Sequence, residues 1–401
     1  MVRPYWHVEI MMKNYLFALA LVLVSATAAH ATPYIPASGQ QVIETLPRRG
    51  DPVQQELRRL RSELSAKPND LALATTLAQR YIALGRSETD PRYLGYAQAV
   101  LAPWWWLSAP PTQVRLLRAT LLQSIHQFSP AMDDLNAVLA ADSANAQAWL
   151  TRATVQTVQG DYVNATASCA RLSTLSTELV AVSCIANIGA VTGRALKSEQ
   201  LLDLTLERSA NAPAALQVWA LTLLAEMAQR RDDRNVAEKY YKRALAMAPR
   251  DSYLLGAYAD FLLEQQRPRE VLALLNKQIR IDALLLRRAL ALQQMANQRQ
   301  PLAADVKELA ARFDAAMRRG DTVHQREQAR FELMLRHDPA TALALARKNW
   351  TVQKEPADIR IYLEAALHAR DSAQPVLDWV ALNRTEDAAA TRLIARLKTG
   401  T

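Results

Sequence analysis

An interval of 34 residues recurs along this chain, and a repeat of that length constrains the fold more than anything else in it. Ala97, Ala131 and Ala165 keep the spacing, as do Leu101, Leu135 and Cys169, with Phe128/Tyr162 and Ala119/Ala153 in the same phase. Further on, Ala237/Val271, Tyr241/Leu275 and Ala225/Ala259 recover it after a slip of about one residue between 170 and 195. A unit this short cannot bury its apolar face alone, so it must stack on copies of itself. Composition says which kind of unit it is. Leu, Ala, Arg and Gln dominate while Gly numbers only 10 and Val and Ile are thinly spread, which favours helix throughout and argues against an all-β or doubly wound fold.

Period and residue type together point to tetratricopeptide (TPR) repeats, each a pair of antiparallel helices. Small residues let the paired backbones approach: Ala119, Ala153 and Ala259 in first helices, Ala131, Ala165 and Ala237 in second ones. Trp149, Tyr162, Leu135, Tyr241 and Leu275 are the larger residues that fill between pairs. Gly160-Asp161 reads as the turn inside one pair, and Pro249 as the end of a second helix. The expected helical stretches lie near 53–66, 69–102, 112–143, 146–177, 179–208, 213–248, 252–280, 282–319, 322–352 and 357–397, the first and last capping the stack. Residues 85–92 read as an insertion in the first clear repeat. The fold class is therefore all-α, a right-handed TPR-type α-solenoid.

Ahead of the repeats, Met11-Met12-Lys13-Asn14 precedes an apolar run from Tyr15 to Val24, and small residues end at Ala29-His30-Ala31. This is the three-part pattern of a signal peptide cleaved after Ala31, and the run is too short for a spanning helix, which needs about 20 residues. Translation from Met11 or Met12 would omit the first ten residues. Removing residues 1–31 takes away Arg3, Lys13 and Glu9, so 48 basic and 39 acidic residues become 46 and 38, a net +8. Residues 32–50, with three prolines and two glycines, read as an extended arm. The organisation expected is a signal peptide (1–31), the arm (32–50), the clearest repeats (51–280), and degenerate TPR-like repeats with a C-terminal cap (281–401).

Several stretches carry a closer resemblance. Asp90-Pro91-Arg92-Tyr93-Leu94-Gly95-Tyr96-Ala97, Leu101-Ala102-Pro103-Trp104-Trp105, Ala146-Gln147-Ala148-Trp149-Leu150-Thr151-Arg152-Ala153, and Asn349-Trp350 with Glu355-Pro356 resemble an uncharacterised family of exported TPR proteins of Gram-negative bacteria. The resemblance covers nearly the whole chain after residue 31. It implies fold, export to the periplasm and, through gene neighbours common in that family, an association with a nickel or cobalt permease. It supplies no catalytic residue to carry over.

Candidate chemistry is sparse. Cys169, late in a second helix, and Cys184, in the next first helix, fall on elements that pack together; they are either a disulfide closing a 15-residue interval or two small buried thiols. Beyond the signal segment the histidines are His126, His324, His337 and His368, with no H-x-x-x-H spacing, and His324 with Glu327 reads as a solvated helix start rather than a metal site. No nucleophile elbow or phosphate loop occurs, so no enzyme, no cofactor and no metal are expected. Residues 267–330 hold 13 basic and 7 acidic residues, read as Arg spread over helix exteriors and not as a nucleic-acid face. Trp104-Trp105-Trp106 cannot point three rings inward from one helix, so it either plugs a junction or leaves a ring exposed as a contact for a protein or membrane.

First helices line the concave face of a TPR stack. In this register the face carries Gln113, Thr120, Gln123, Gln147, Thr154 and Thr157, then Trp219, Glu226, Tyr253 and Asp260: neutral and polar, then aromatic and acidic. The Lys, Asn and Arg set that clamps a terminal carboxylate in some chaperone-binding TPR domains is absent there. The expectation is a non-enzymatic scaffold or adaptor of the cell envelope. Trp219 and Tyr253 would anchor a partner peptide or protein, and Glu226 and Asp260 would select its charge. Nucleic acid is not an expected partner, and membrane contact would come only through the partner. The alternatives are a periplasmic accessory of a metal-ion permease and, third, an envelope enzyme.

Overall fold

The computed structural model describes residues 36, 38, 40, 41, 50–88, 90–276, 278, 280–320 and 323–399. The expected signal peptide, 1–31, and most of the expected arm, 32–50, lie outside them. The chain divides into two compact units, Met1–Glu56 and Leu57–Thr401. In the first, Asp51 Oδ1 accepts the Val53 amide at 2.8 Å, which starts a helix at Pro52. The second unit holds the stack.

Among the described residues the structure has 21 helices and no strand. After α1 (Pro52–Ala66) come pair I, α2 (Leu71–Glu88) with α3 (Arg92–Val100) and the short α4 (Ala102–Trp105); pair II, α5 (Thr112–Ser124) and α6 (Phe128–Ala141); and pair III, α7 (Ala146–Gln159) and α8 (Tyr162–Leu175). Pair IV is α9 (Glu178–Val191) and α10 (Ala195–Arg208), pair V α11 (Ala214–Arg230) and α12 (Arg234–Met247), pair VI α13 (Ser252–Glu264) and α14 (Pro268–Leu275). Pair VII is α15 (Asp282–Gln293) and α16 (Arg299–Arg318), pair VIII α17 (Gln325–Met334) and α18 (Pro339–Trp350). The chain ends in α19 (Pro356–Ala369), α20 (Gln374–Asn383) and α21 (Ala388–Thr399).

Several helix starts have a local cause. Asn145, Asp161, Asp233, Asp251 and Asp338 cap α7, α8, α12, α13 and α18 by accepting a backbone amide three residues on. Before α19, the Glu355 amide donates to Asp358 Oδ2 at 2.8 Å. Inside a pair, the turn closes on one residue in the left-handed region, such as Gly160 at φ 80° or Asp232 at φ 63°.

Alanine sets the close approach within pairs: Ala119, Ala131, Ala153, Ala165, Ala237 and Ala259 are completely buried. Trp149 packs against the apolar clusters on both sides of it, and its indole N–H donates to the Ser143 carbonyl at 2.9 Å. First helices pack on their own partners and on the first helix of the next pair, which makes them the inner layer of an α-solenoid. The largest apolar cluster runs from Leu179 to Phe331 without a break near residue 281, and a separate one from Ala329 to Leu397 holds the last helices together.

Residues 85–92, read as an insertion, fall on the last turn of α2, which is 18 residues long against 13 in α5 and 14 in α7, and on the link to α3. One expectation is corrected. The stretch 357–397 is three helices: Arg384, at φ 53°, breaks the chain between α20 and α21, and α21 packs on α19.

Candidate functional site

The expected groove residues separate into two groups. On α5 and α7, Gln113, Gln147 and Thr154 are exposed and Gln123 and Thr157 half-buried, whereas Thr120 is buried and off any accessible face. Their polar groups are turned largely to local bonds. The hydroxyls of Thr120, Thr154 and Thr157 donate to the carbonyls of Leu116, Leu150 and Ala153 at 3.0, 2.9 and 2.7 Å, and the Gln147 amide donates to Thr151 Oγ1 at 3.1 Å. This face is smooth, neutral and without a focus.

On α11 and α13 a focus exists. Tyr253, in the first turn of α13 and 63% exposed, donates its hydroxyl to Glu226 Oε1 of α11 at 2.7 Å. The Glu226 carboxylate, with Glu355 acting in the same direction, holds the Tyr253 phenol well above its usual range. Burial raises Glu226 above an ordinary glutamate, against the pull of Arg230 and of the Tyr253 hydroxyl. Trp219 stands apart: it is half-buried and packs into the central apolar cluster.

Asp260, two turns along α13 from Tyr253, is fully engaged. Arg287 of α15 reaches Asp260 Oδ2 at 2.5 Å and Arg330 of α17 reaches Oδ1 at 2.6 Å. Burial opposes ionisation there, yet the two guanidiniums outweigh it and keep Asp260 below the usual aspartate range. Its charge is neutralised within the protein, whereas Glu226 is held by the Tyr253 hydroxyl.

The arginines continue the pattern. Arg326 donates to Glu355 Oε2 at 2.8 Å and to Asp358 Oδ1 at 3.3 Å, and Arg360 binds Glu264 and Asp387, each at 2.8 Å. Burial lifts the Asp358 carboxyl to about 6 despite Arg326, with Glu355 adding to the shift. The inner layer from α13 to α19 is thus linked by paired charges between first helices. Outside it, Arg267 pairs with Glu238 and Glu270, Arg288 with Asp305, and Arg312 with Asp282 and Glu308. The basic stretch 267–330 therefore does more than coat helix exteriors, since many of its guanidiniums fasten one element to the next. Net charge by segment could not reveal this, because partners such as Glu238, Asp260, Glu355 and Asp358 lie outside the segment, and Asp282 and Asp305 lie on helices other than those of their arginines.

Elsewhere, Cys169 of α8 and Cys184 of α9 are joined by a disulfide, with Cα atoms 5.6 Å apart. Of the tryptophan triplet, Trp105 is buried, Trp104 half-buried and Trp106 85% exposed. Trp105 and Trp106 border a cavity of about 290 Å³ with Gly95, Gln98, Ala99 and Ala102. Among the described residues no three His, Cys, Asp or Glu side chains gather where they would hold a metal ion, and no helix is long and apolar enough to cross a membrane.

No family model matches the chain, and no curated protein matches it. Among solved structures, it is similar to a tetratricopeptide repeat protein from Parabacteroides merdae at 13% identity, covering 78% of this chain and 98% of that one with a TM-score of 0.37. It is also similar to yeast Tom70, at 14% identity over 82% and 62% of the two chains with a TM-score of 0.36. A monomeric mutant of IFIT1, solved with Gppp-AAAA, aligns at 13% identity over 86% of this chain and 85% of its own, with a TM-score of 0.43. What those proteins bind is their own property.

Proposed function

We propose that this protein is a non-enzymatic interaction scaffold exported to the periplasm, which binds a partner segment along the inner layer of first helices. The observation that carries the reading is Tyr253: an aromatic ring, 63% exposed on an otherwise packed helix, held by Glu226 beside a lattice whose other charges are matched. A partner residue stacked on that ring would bring a donor to Glu226, the acid there that no guanidinium neutralises within bonding distance. Export rests on the apolar run Tyr15–Val24 and the Ala29-His30-Ala31 triplet, and N-terminal sequencing of the protein recovered from the periplasm should start at Thr32.

The test is capture of partners from solubilised envelope with tagged residues 32–401. Tyr253→Ala and Glu226→Gln should lose a partner that the unaltered protein retains. Trp219→Ala is the less informative variant, because that ring packs in the core and its loss disturbs the fold. A partner retained equally by Tyr253→Ala and Glu226→Gln would remove the groove from the account.

A further inference from the structure

The C-terminal residues reach back to the early repeats. Gln353 Nε2 lies 3.0 Å from His126 Nδ1 in the turn of pair II. At pair III, the Lys354 amide donates to the Val158 carbonyl at 2.8 Å, Lys354 Nζ to the Gln159 carbonyl at 3.4 Å, and the Tyr162 hydroxyl to the Lys354 carbonyl at 3.4 Å. The Trp379 ring packs on Tyr162 with centroids 5.9 Å apart. At pair IV, Thr385 Oγ1 donates to the Val191 carbonyl at 3.4 Å and Glu386 Oε2 accepts the Ala195 amide at 3.0 Å. At pair V, Arg392 meets Asp232 at 3.4 Å. The solenoid curves until its end docks on the row of turns between first and second helices.

The glycines show that this docking is written into the turns. In eight of these turns the left-handed residue is His126, Gly160, Gly193, Asp232, Gln266, Asn297, His337 or Arg370. Six of the eight accept a side chain at a cost of about 1 kcal/mol. Glycine stands only where the C-terminal residues press closest: a Cβ on Gly160 would lie 2.5 Å from Trp379 Cη2, and one on Gly193 would lie 3.1 Å from Arg384 Cβ. Left-handed geometry alone does not demand glycine there, as the other turns prove; the incoming side chains do.

The junction is separable. The apolar cluster of the last helices begins at Ala329 and that of pairs III and IV ends at Ile188, and no buried residue belongs to both. Apart from Trp379 against Tyr162 and Gly160 and the Arg384 stem against Gly193, the junction rests on polar contacts, so parting it divides neither apolar cluster. A solenoid opens by small rotations shared among pairs, each keeping its neighbours. In the closed form Arg360 of α19 bridges to Glu264 of α13, and Glu355 stands near enough to act on Tyr253 and Glu226.

We infer that residues 353–392 are an autoinhibitory latch, which holds the solenoid closed over the inner face at Glu226 and Tyr253 and must release before a macromolecular partner enters. The gating role rests on the groove reading above; closure itself does not.

The chain has two cysteines and both are in the disulfide, so Tyr253→Cys places a single free thiol on the inner face. Its modification by N-ethylmaleimide is compared with that by a maleimide bearing a long polyethylene glycol chain, and the ratio of rates cancels thiol reactivity. The bulky reagent should be slow in the closed protein. Adding Gly160→Asn, which suits a left-handed turn but displaces Trp379, should speed the bulky reagent by at least about tenfold relative to the small one. Trp379→Ala should do the same without touching the turn, with helix content and the disulfide unchanged in both. An unchanged ratio in both variants, or acceleration in Gly160→Asn alone, would overturn the latch. A gated thiol in a protein that captures no envelope partner even when opened by Gly160→Asn or Trp379→Ala would sustain closure and overturn the scaffold; an ungated thiol with partner capture by the unaltered protein would do the reverse.

Discussion

Glu238 carries the clearest acid sensitivity in the molecule. Arg267 donates to both its oxygens, at 2.7 and 2.9 Å, and with Lys242 brings its carboxyl down to about 2. A depressed carboxylate contributes stability that is complete above the unfolded value near 4.5 and is lost as pH falls through 2. Urea unfolding across that window should show Arg267→Gln losing less stability than the unaltered protein, by about 1 kcal/mol or more after allowance for partial solvent screening. Parallel slopes would remove the pair from the account of acid stability. At the inner face, Tyr253→Phe deletes the donor to Glu226, whose carboxyl should then titrate higher still, as carboxyl-carbon NMR would record. These partners sit 27 to 29 residues apart, Tyr253 and Glu226 on successive first helices and Arg267 and Glu238 at successive second helices, and only the stacking of pairs brings them together.

At the scale of elements, local rules were legible and gave the helix pairs to within a few residues. Alanines at 34-residue spacing mark close approach because a larger side chain would force the helices apart. Asp251 shows how a cap positions function, since its Oδ1 holds the Leu254 amide at 2.9 Å and so fixes the first turn of α13, which carries Tyr253. Asp251→Ala should lower stability by about 1 kcal/mol and raise amide exchange in that turn first. The Cys169–Cys184 bond closes 15 residues between α8 and α9, and the double serine variant should lose about 3 kcal/mol in denaturant titration. What the pattern could not show was the end of the stack, where α20 and α21 depart from the repeat and their facing follows from α19 and pair IV.

For the whole molecule the closed curve changes what cooperativity to expect. An open solenoid frays from its ends, each pair answering only to its neighbours. Here the Lys354 and Ala195 amides both bond across the junction, to Val158 and Glu386. Native-state hydrogen exchange should therefore give the two amides a common protection that rises and falls together as denaturant is added. Independent exchange would mean that the ends are not coupled.

By itself the sequence determined the repeat, its all-helical character, the small residues between paired helices and the turn at Gly160-Asp161, because each depends on residues one helix or one repeat apart. Tertiary structure alone decided closure. The small rotation between successive pairs is set by packing and accumulates over the stack, so whether Arg360 meets Glu264 across 96 residues, or Gln353 meets His126 across 227, has no counterpart in any local spacing. It likewise decided the partners of the inner-face acids, since Asp260 and Glu226 read alike along the chain, yet curvature brings two arginines to Asp260 and the Tyr253 hydroxyl to Glu226.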